Sequence, residues 1–241
     1  MTGDSARRGP LASLSRVLSL ALAALVVVAL AWLAWITGHI AWYRFQPPRE
    51  TAFMAQRMDE ARAKNPGASL KYRWVPYARI SVQLKRAMIA AEDAKFVDHR
   101  GFDWDGIQNA LERNQKKGRI VGGGSTITQQ LAKNLFLSPA KSYVRKAQEA
   151  VVTVLIEAML PKQRIFELYL NVIEWGNGVF GAEAAAQRYY GVSAAQLSAE
   201  QAARLAAMTP SPRVFERRPD SNYLDGRVAT IIARMPAAVI P

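Results

Sequence analysis

The sequence predicts a mainly α-helical domain carried by a single N-terminal membrane helix. Three observations lead there. The run from Val17 to Ile36 contains no charged residue and has about the ~20-residue length a helix needs to cross hydrocarbon. Beyond it, apolar residues recur at helical spacing between recognisable caps. Only "SLKYRWVPY" reads as a short strand, and no alternating run elsewhere suggests a sheet.

Taken in order, residues 1–16 form a basic cytoplasmic tail, 17–36 the span, 37–50 a linker and 51–241 the folded domain. The span is too long for a secretory signal's apolar region, and "ITGHIAWYRFQPP" offers no small-residue cleavage site, so it is expected to stay as an anchor. Arg7, Arg8 and Arg16 precede it, which sets the N-terminus inside the cell and the domain outside. Trp32, Trp35, Trp42 and Tyr43 crowd its far end like an interfacial belt. "RFQPPRE" then provides a proline stop before Thr51.

Ser81 is placed to cap a helix that carries Val82, Met88, Ile89 and Ala91 and has Glu92 and Asp93 in its last turn. After "GGGST", Thr126 and Gln129 have capping-box spacing at the head of a helix with Ile127, Leu131 and Leu135 as its apolar stripe. A third helix follows Ser138 and Pro139 and runs through "YVRKAQEAVVTVLIEAML". Pro161 suits the first position of a fourth, "PKQRIFELYLN". A glycine-rich loop, "WGNGVFG", leads into "AEAAAQRYYG", and Ser198 with Gln201 caps a last long helix ending at "TPSP".

Composition narrows the partners. Lys and Arg exceed Asp and Glu to give a net charge of +13, which points to an anionic partner such as a phosphorylated substrate or a membrane surface. An exported domain makes nucleic acid an unsuitable one. The chain has no cysteine, so it has neither disulfides nor thiol chemistry.

Three stretches have the residue types for chemistry. "AAEDAKFVDHRG" sets Glu92 and Asp93 together at a helix end ahead of Phe96 and His99, and is either an acid–base element or a solvated helix terminus. "GGGSTITQQLAKN", Gly122 to Asn134, puts hydroxyls and free N–H groups at a helix start, with Gln129, Gln130 and Lys133 within a turn of one another. It is either an anion site or an ordinary capped loop, and it lacks the spacing of a nucleotide-binding P-loop. In "RKAQE", Arg145 and Lys146 lie four and three residues before Glu149, so both can flank one carboxylate, as a phosphate site or as a plain surface ion pair. Neither His39 nor His99 has a partner at metal-ligand spacing, so no protein metal site is expected. "GGGSTI" lacks the form of a serine-hydrolase elbow.

In this order the stretches resemble the peptidoglycan glycosyltransferases, the module that polymerises lipid II. Glu92, Asp93, Phe96, His99 and Gly101 match the first motif, "GGSTITQQLAKN" the second and "RKAQE" the third. "KQRIFELYLNVIEWGNGVFGAEAAAQRYYG" matches the fourth, and "LAAMTPSP" is a looser fifth in which Met208 and Thr209 stand where the family usually has Leu-Pro. The match covers roughly Tyr77 to Pro219. Pro241 follows too soon for the transpeptidase domain of bifunctional relatives, so the monofunctional anchored form is the expectation.

The resemblance implies a lysozyme-like two-lobed fold with a small membrane-embedded lobe, and a cleft that holds lipid II and a lipid-linked glycan chain. It makes Glu92 the general base and Glu149 the second essential carboxylate. Asp93, Phe96, Ser125, Thr126, Gln129, Gln130, Lys133, Asn134, Arg145 and Lys146 are then the substrate-binding set. Glu92 is expected to have a raised pKa from the helix C-terminus and from Asp93. A divalent cation, Mg or Mn, at the pyrophosphate is the one cofactor the resemblance admits. Other cell-wall synthases and division proteins are the protein partners it admits, and the inner membrane is the expected location. Two rival readings, a lytic enzyme acting on finished strands and a non-catalytic wall-binding module, leave the anchor with its cation cluster or the ordered acidic residues unexplained.

Overall fold

The computed structural model describes residues 10–118, 124–138 and 142–241. Gly122, Gly123, Pro139, Arg7 and Arg8 lie outside them, so the glycine-led part of the second motif and most of the basic tail do too. Helix α1, Pro10–Tyr43, contains a stretch from Arg16 to Tyr43 long and apolar enough to cross a membrane. From Val17 to Leu30 its large apolar side chains are exposed. The linker expected from residue 37 is helical through Tyr43, because Ile36 and Ile40 are fully buried against the domain. Trp35 and Tyr43 also lie edge-on or tilted to Phe136, each with ring centres 6.0 Å away. The last turns of α1 are therefore part of the core.

The domain then runs α2 (Ala52–Arg62), β1 (Lys71–Tyr72), α3 (Val82–Glu92), α4 (Trp104–Lys116), α5 (Ile127–Phe136), α6 (Tyr143–Met159), α7 (Lys162–Val172), β2 (Glu174–Gly176), β3 (Val179–Phe180), α8 (Ala182–Tyr190), α9 (Ala199–Met208), α10 (Pro212–Arg217) and α11 (Asn222–Arg234). The expected caps are present. Ser81 accepts from the Gln83 N–H, and Thr126–Gln129 and Ser198–Gln201 form reciprocal capping boxes. Pro161 sits one position earlier than expected, as the N-cap of α7.

Two expectations need correction. α9 is not the last helix: α10 and α11 follow it, started by Pro212 at the first helical position and by the Ser221 cap. The glycine-rich loop after α7 is also partly a sheet. β3 pairs antiparallel with β2 and parallel with β1 in the order β1-β3-β2. Gly176 is there because a Cβ would lie 2.3 Å from the Tyr189 hydroxyl oxygen.

Packing divides the helices into two sets. α3 packs on α9 and α11, whereas α5 packs on α2, α6 and α7, with α1 laid along α6. Phe96, Phe166, Tyr169, Trp175 and Phe180 are the largest fully buried side chains that join them. Asn171 ties the β1–α3 segment to α7: its amide exchanges bonds with Val75, accepting from the N–H at 2.9 Å and donating to the carbonyl at 3.0 Å. The C-terminus of α3 is tied to the head of α5 by the Ile127 N–H, which donates to Asp93 at 3.0 Å, and Glu92 is the last residue of α3.

Candidate active site

Glu92 lies where the two helix sets meet. Gln130 on α5 donates from Nε2 to Glu92 Oε2 at 2.9 Å, and Arg227 on α11 reaches Oε1 at 3.5 Å. Tyr169, fully buried on α7, donates its hydroxyl proton to Gln130 Oε1 at 3.0 Å. That bond fixes which end of the Gln130 amide faces the carboxylate, so Glu92 receives a donor. Burial raises the Glu92 pKa, and Asp93 adds to it, while Gln130, Arg227 and Lys133 pull it down. The direction agrees with the sequence expectation. The main cause does not: enclosure outweighs the neighbouring Asp93.

Asp93 has a different task. Its carboxylate is buried and accepts from the Ile127 N–H, the head of α5, at 3.0 Å and pairs with His99 Nε2 at 3.0 Å. An acceptor at a helix N-terminus satisfies an orphan donor and opposes the dipole. Asp93 therefore joins the first motif to the second, and His99 is its structural partner. Phe96, expected among the substrate contacts, lies in the core. It has no exposed surface and packs on Phe166, ring centres 5.6 Å apart, beneath the Lys162 ammonium.

Thr126 and Gln129, also expected at the substrate, form the cap of α5. Thr126 is buried, donates to the Gly101 carbonyl at 2.7 Å and accepts from the Gln129 N–H, while Gln129 Oε1 returns to the Thr126 N–H at 3.0 Å. Both side chains are consumed in capping α5. Ser125 is exposed just ahead of the cap. Gln130 and Lys133, one to two turns further along α5, are half-buried, and Asn134 is buried and donates to the Gln130 carbonyl at 2.7 Å. They line a pocket of about 180 Å³ with Phe53, Arg57, Glu174, Thr209 and Pro210. Thr209, where the fifth motif departs, donates to the Ala206 carbonyl at 2.6 Å and closes the end of α9.

The second carboxylate is also buried. Arg145 donates to Glu149 Oε2 at 2.7 Å, and the Lys146 ammonium bonds to Oε1. The plain surface ion pair is ruled out by this burial. Lys133 lies within electrostatic reach of both glutamates: burial lowers its pKa, repulsion from Arg145 and Lys146 lowers it further, and Glu149 and Glu92 oppose the shift. Lys133, Arg145 and Lys146 outnumber Glu149 by two charges, which suits a dianionic leaving group. Both oxygens of Glu149 are engaged by cations, and no cluster of three His, Cys, Asp or Glu exists among the described residues.

Several residues at the site carried no assignment from sequence. Glu174 on β2 is buried between Arg57 Nε at 3.3 Å and Arg213 Nε at 2.7 Å, walling the far side of the pocket. Tyr169 and Arg227 reach the site from α7 and α11. Local spacing could have marked none of them, since each acts across a contact between distant elements.

An enclosed glutamate held as a hydrogen-bond acceptor, near a basic cluster in a helical domain that follows one helix long and apolar enough to cross a membrane, suits a glycosyltransferase that acts on an anionic donor. Comparison with known proteins agrees with this class. A family model described as Transglycosylase matches residues 59–236. A protein of Dechloromonas aromatica named biosynthetic peptidoglycan transglycosylase is 60% identical over 228 residues, 95% of this chain and 99% of its own length. Proteins of the same name from an Azoarcus species and from Laribacter hongkongensis are 60% and 55% identical, covering 85% and 91% of this chain and 89% and 96% of theirs. The chain belongs to the transglycosylase family, whose lysozyme-like fold fits the mainly helical architecture described above.

Proposed function

We propose that this enzyme polymerises peptidoglycan glycan strands from lipid II by inverting glycosyl transfer. The Glu92 carboxylate takes the proton from the GlcNAc 4-hydroxyl of the incoming lipid II. The freed oxygen attacks C1 of the MurNAc at the end of the growing chain from the face opposite the carrier. A new C1–O4 bond forms as the C1–O bond to the pyrophosphate breaks, and the electron pair departs with undecaprenyl pyrophosphate. Lys133, Arg145 and Lys146 meet that charge, and Glu149 keeps Arg145 and Lys146 in place. Gln130 and Asn134 line the space between base and cations. Ser125, exposed beside the helix start, is assigned to the donor side.

The observation that supports this reading is that Lys133, which lines the pocket with Gln130, is within electrostatic reach of both Glu92 and the cation-flanked Glu149. A raised pKa suits a base that must hold and release a proton near neutrality. The anchor would sit in the inner membrane, with Arg16 and the tail cytoplasmic and the domain periplasmic. Val144, Val151 and Val154 expose an apolar face on α6 alongside α1, fitting a lobe that dips into the bilayer where both lipid carriers stay.

The test uses purified full-length protein and labelled lipid II in detergent. Long strands are expected from the native enzyme, none from Glu92→Gln, and no cleavage of preformed strands by either. A Glu92→Gln protein that polymerises at the native rate would overturn the assignment of the base.

A further inference from the structure

We infer that Arg227 and Tyr169 are positioning residues that hold Glu92 as a ready base, one through its charge and the other by locking the Gln130 amide. This rests on the reading of Glu92 as the base and adds the C-terminal helix α11 to the working site. The two carboxylate oxygens are engaged by different elements: Oε2 by Gln130 from α5 and Oε1 by Arg227 from α11. Gln130 is held in turn by the buried Tyr169 hydroxyl from α7. Without that hydroxyl the amide is free to rotate and offer its oxygen to Glu92, which would favour a protonated carboxyl.

The surroundings of Glu92 contain few other charges. Lys133 reaches it from α5, and Asp93 follows it in sequence. α9, which also packs on α3, directs its charged groups elsewhere: Glu200 accepts from Ser198, and Arg204 pairs with Asp225. The turn Met235–Ala237 carries no charge. Arg227 is thus the cation in direct reach of the carboxylate, with Lys133 acting from further off. Its side chain is about a quarter exposed and that of Glu92 about a tenth, so solvent screens the pair only partly.

The sign follows. Arg227 and the Gln130 donor both favour the ionised form, so losing either raises the Glu92 pKa. A base must be ionised to act, so the acidic limb of the polymerisation rate moves to higher pH. A nearby charge shifts a carboxyl by roughly 1–3 units, and the lower end applies to a partly screened pair. The experiment is the pH profile of lipid II polymerisation by full-length native enzyme, Arg227→Gln, Arg227→Lys and Tyr169→Phe. Arg227→Gln is expected to move the limb up by about one unit, a rate about tenfold lower on the acid side. Tyr169→Phe moves it the same way by less, and Arg227→Lys restores the native position.

The position of a limb does not depend on how much enzyme is folded, so misfolding lowers only the plateau. An unmoved limb in both Arg227→Gln and Tyr169→Phe, whatever the plateau, overturns the inference. A fully active Glu92→Gln enzyme would instead overturn the underlying assignment of the base.

Discussion

Lys133 shows how one side chain can serve two carboxylates. It is largely enclosed, and burial, Arg145 and Lys146 all lower its pKa against the pull of Glu149 and Glu92. The ammonium is needed in the charged form to meet a departing pyrophosphate. Charge is present below the lowered pKa and lost as pH rises through it, so activity should fall on the alkaline side before an ordinary lysine would titrate. Lys133→Arg keeps the charge throughout, because a guanidinium does not deprotonate in this range. A rate profile for Lys133→Arg should retain activity at alkaline pH relative to its own plateau, whereas Lys133→Met should lose at least about tenfold at every pH, by analogy with the removal of one stabilising donor. An alkaline limb unchanged in Lys133→Arg would assign that limb to another group.

At the scale of elements, Gly101 joins the first motif to the second and to α6. Its φ is +89°, and its carbonyl accepts from Thr126 at 2.7 Å. A Cβ there would lie 2.7 Å from Thr153 Cγ2 and 3.1 Å from Glu157 Cγ on α6. Gly101→Ala should therefore cost about 2–4 kcal/mol from the left-handed backbone and the overpacking together. Thr153→Ser keeps the hydroxyl that donates to the Glu149 carbonyl and removes the clashing methyl. In chemical denaturation the double variant should recover part of the Gly101→Ala loss; strict additivity of the two changes would refute the contact.

This joint also shows what sequence could reveal. The caps Ser81, Thr126 and Ser198 obey local rules, and the cation pair around Glu149 follows from helical spacing. Those features depend on residues within a turn of each other. The sheet escaped because β2 and β3 span three and two residues, too short for alternation to register. Phe96 and Asp93 were legible as motif members, but their packing and bonds were not. Burial of the one and the bond of the other to Ile127 depend on how α3 meets α5 and α7. Arg227, Tyr169 and Glu174 were missed for the same reason.

At the scale of the whole molecule, the proposed function has α1 in a bilayer with the substrates, so on that reading the angle between α1 and the domain matters. Arg164 on α7 fixes that junction. Its Nε donates to the Tyr43 carbonyl at the end of α1 at 2.7 Å, and its second terminal nitrogen donates to the Gln46 carbonyl at 3.0 Å. Glu167 pairs with its other terminal nitrogen at 2.6 Å, and the guanidinium lies over Trp74. A cation here satisfies orphan carbonyls and opposes the negative end of the long helix. From the other side, Arg44 donates to the Met159 carbonyl at the end of α6 at 3.3 Å. Arg164→Met removes the charge-assisted bonds but keeps much of the side chain's bulk. It should cost about 2 kcal/mol of stability and let the anchor swing relative to the cleft. In detergent, where lipid II diffuses to the enzyme in any orientation, the polymerisation rate should change little. In liposomes, where the cleft must face lipids at a fixed depth, it should fall severalfold, because misplacement of this kind loses near-attack geometry. The ratio of liposome to detergent rates, native against Arg164→Met, isolates the effect from folding yield. An equal ratio would mean that the apolar face of α6 alone sets the domain on the membrane.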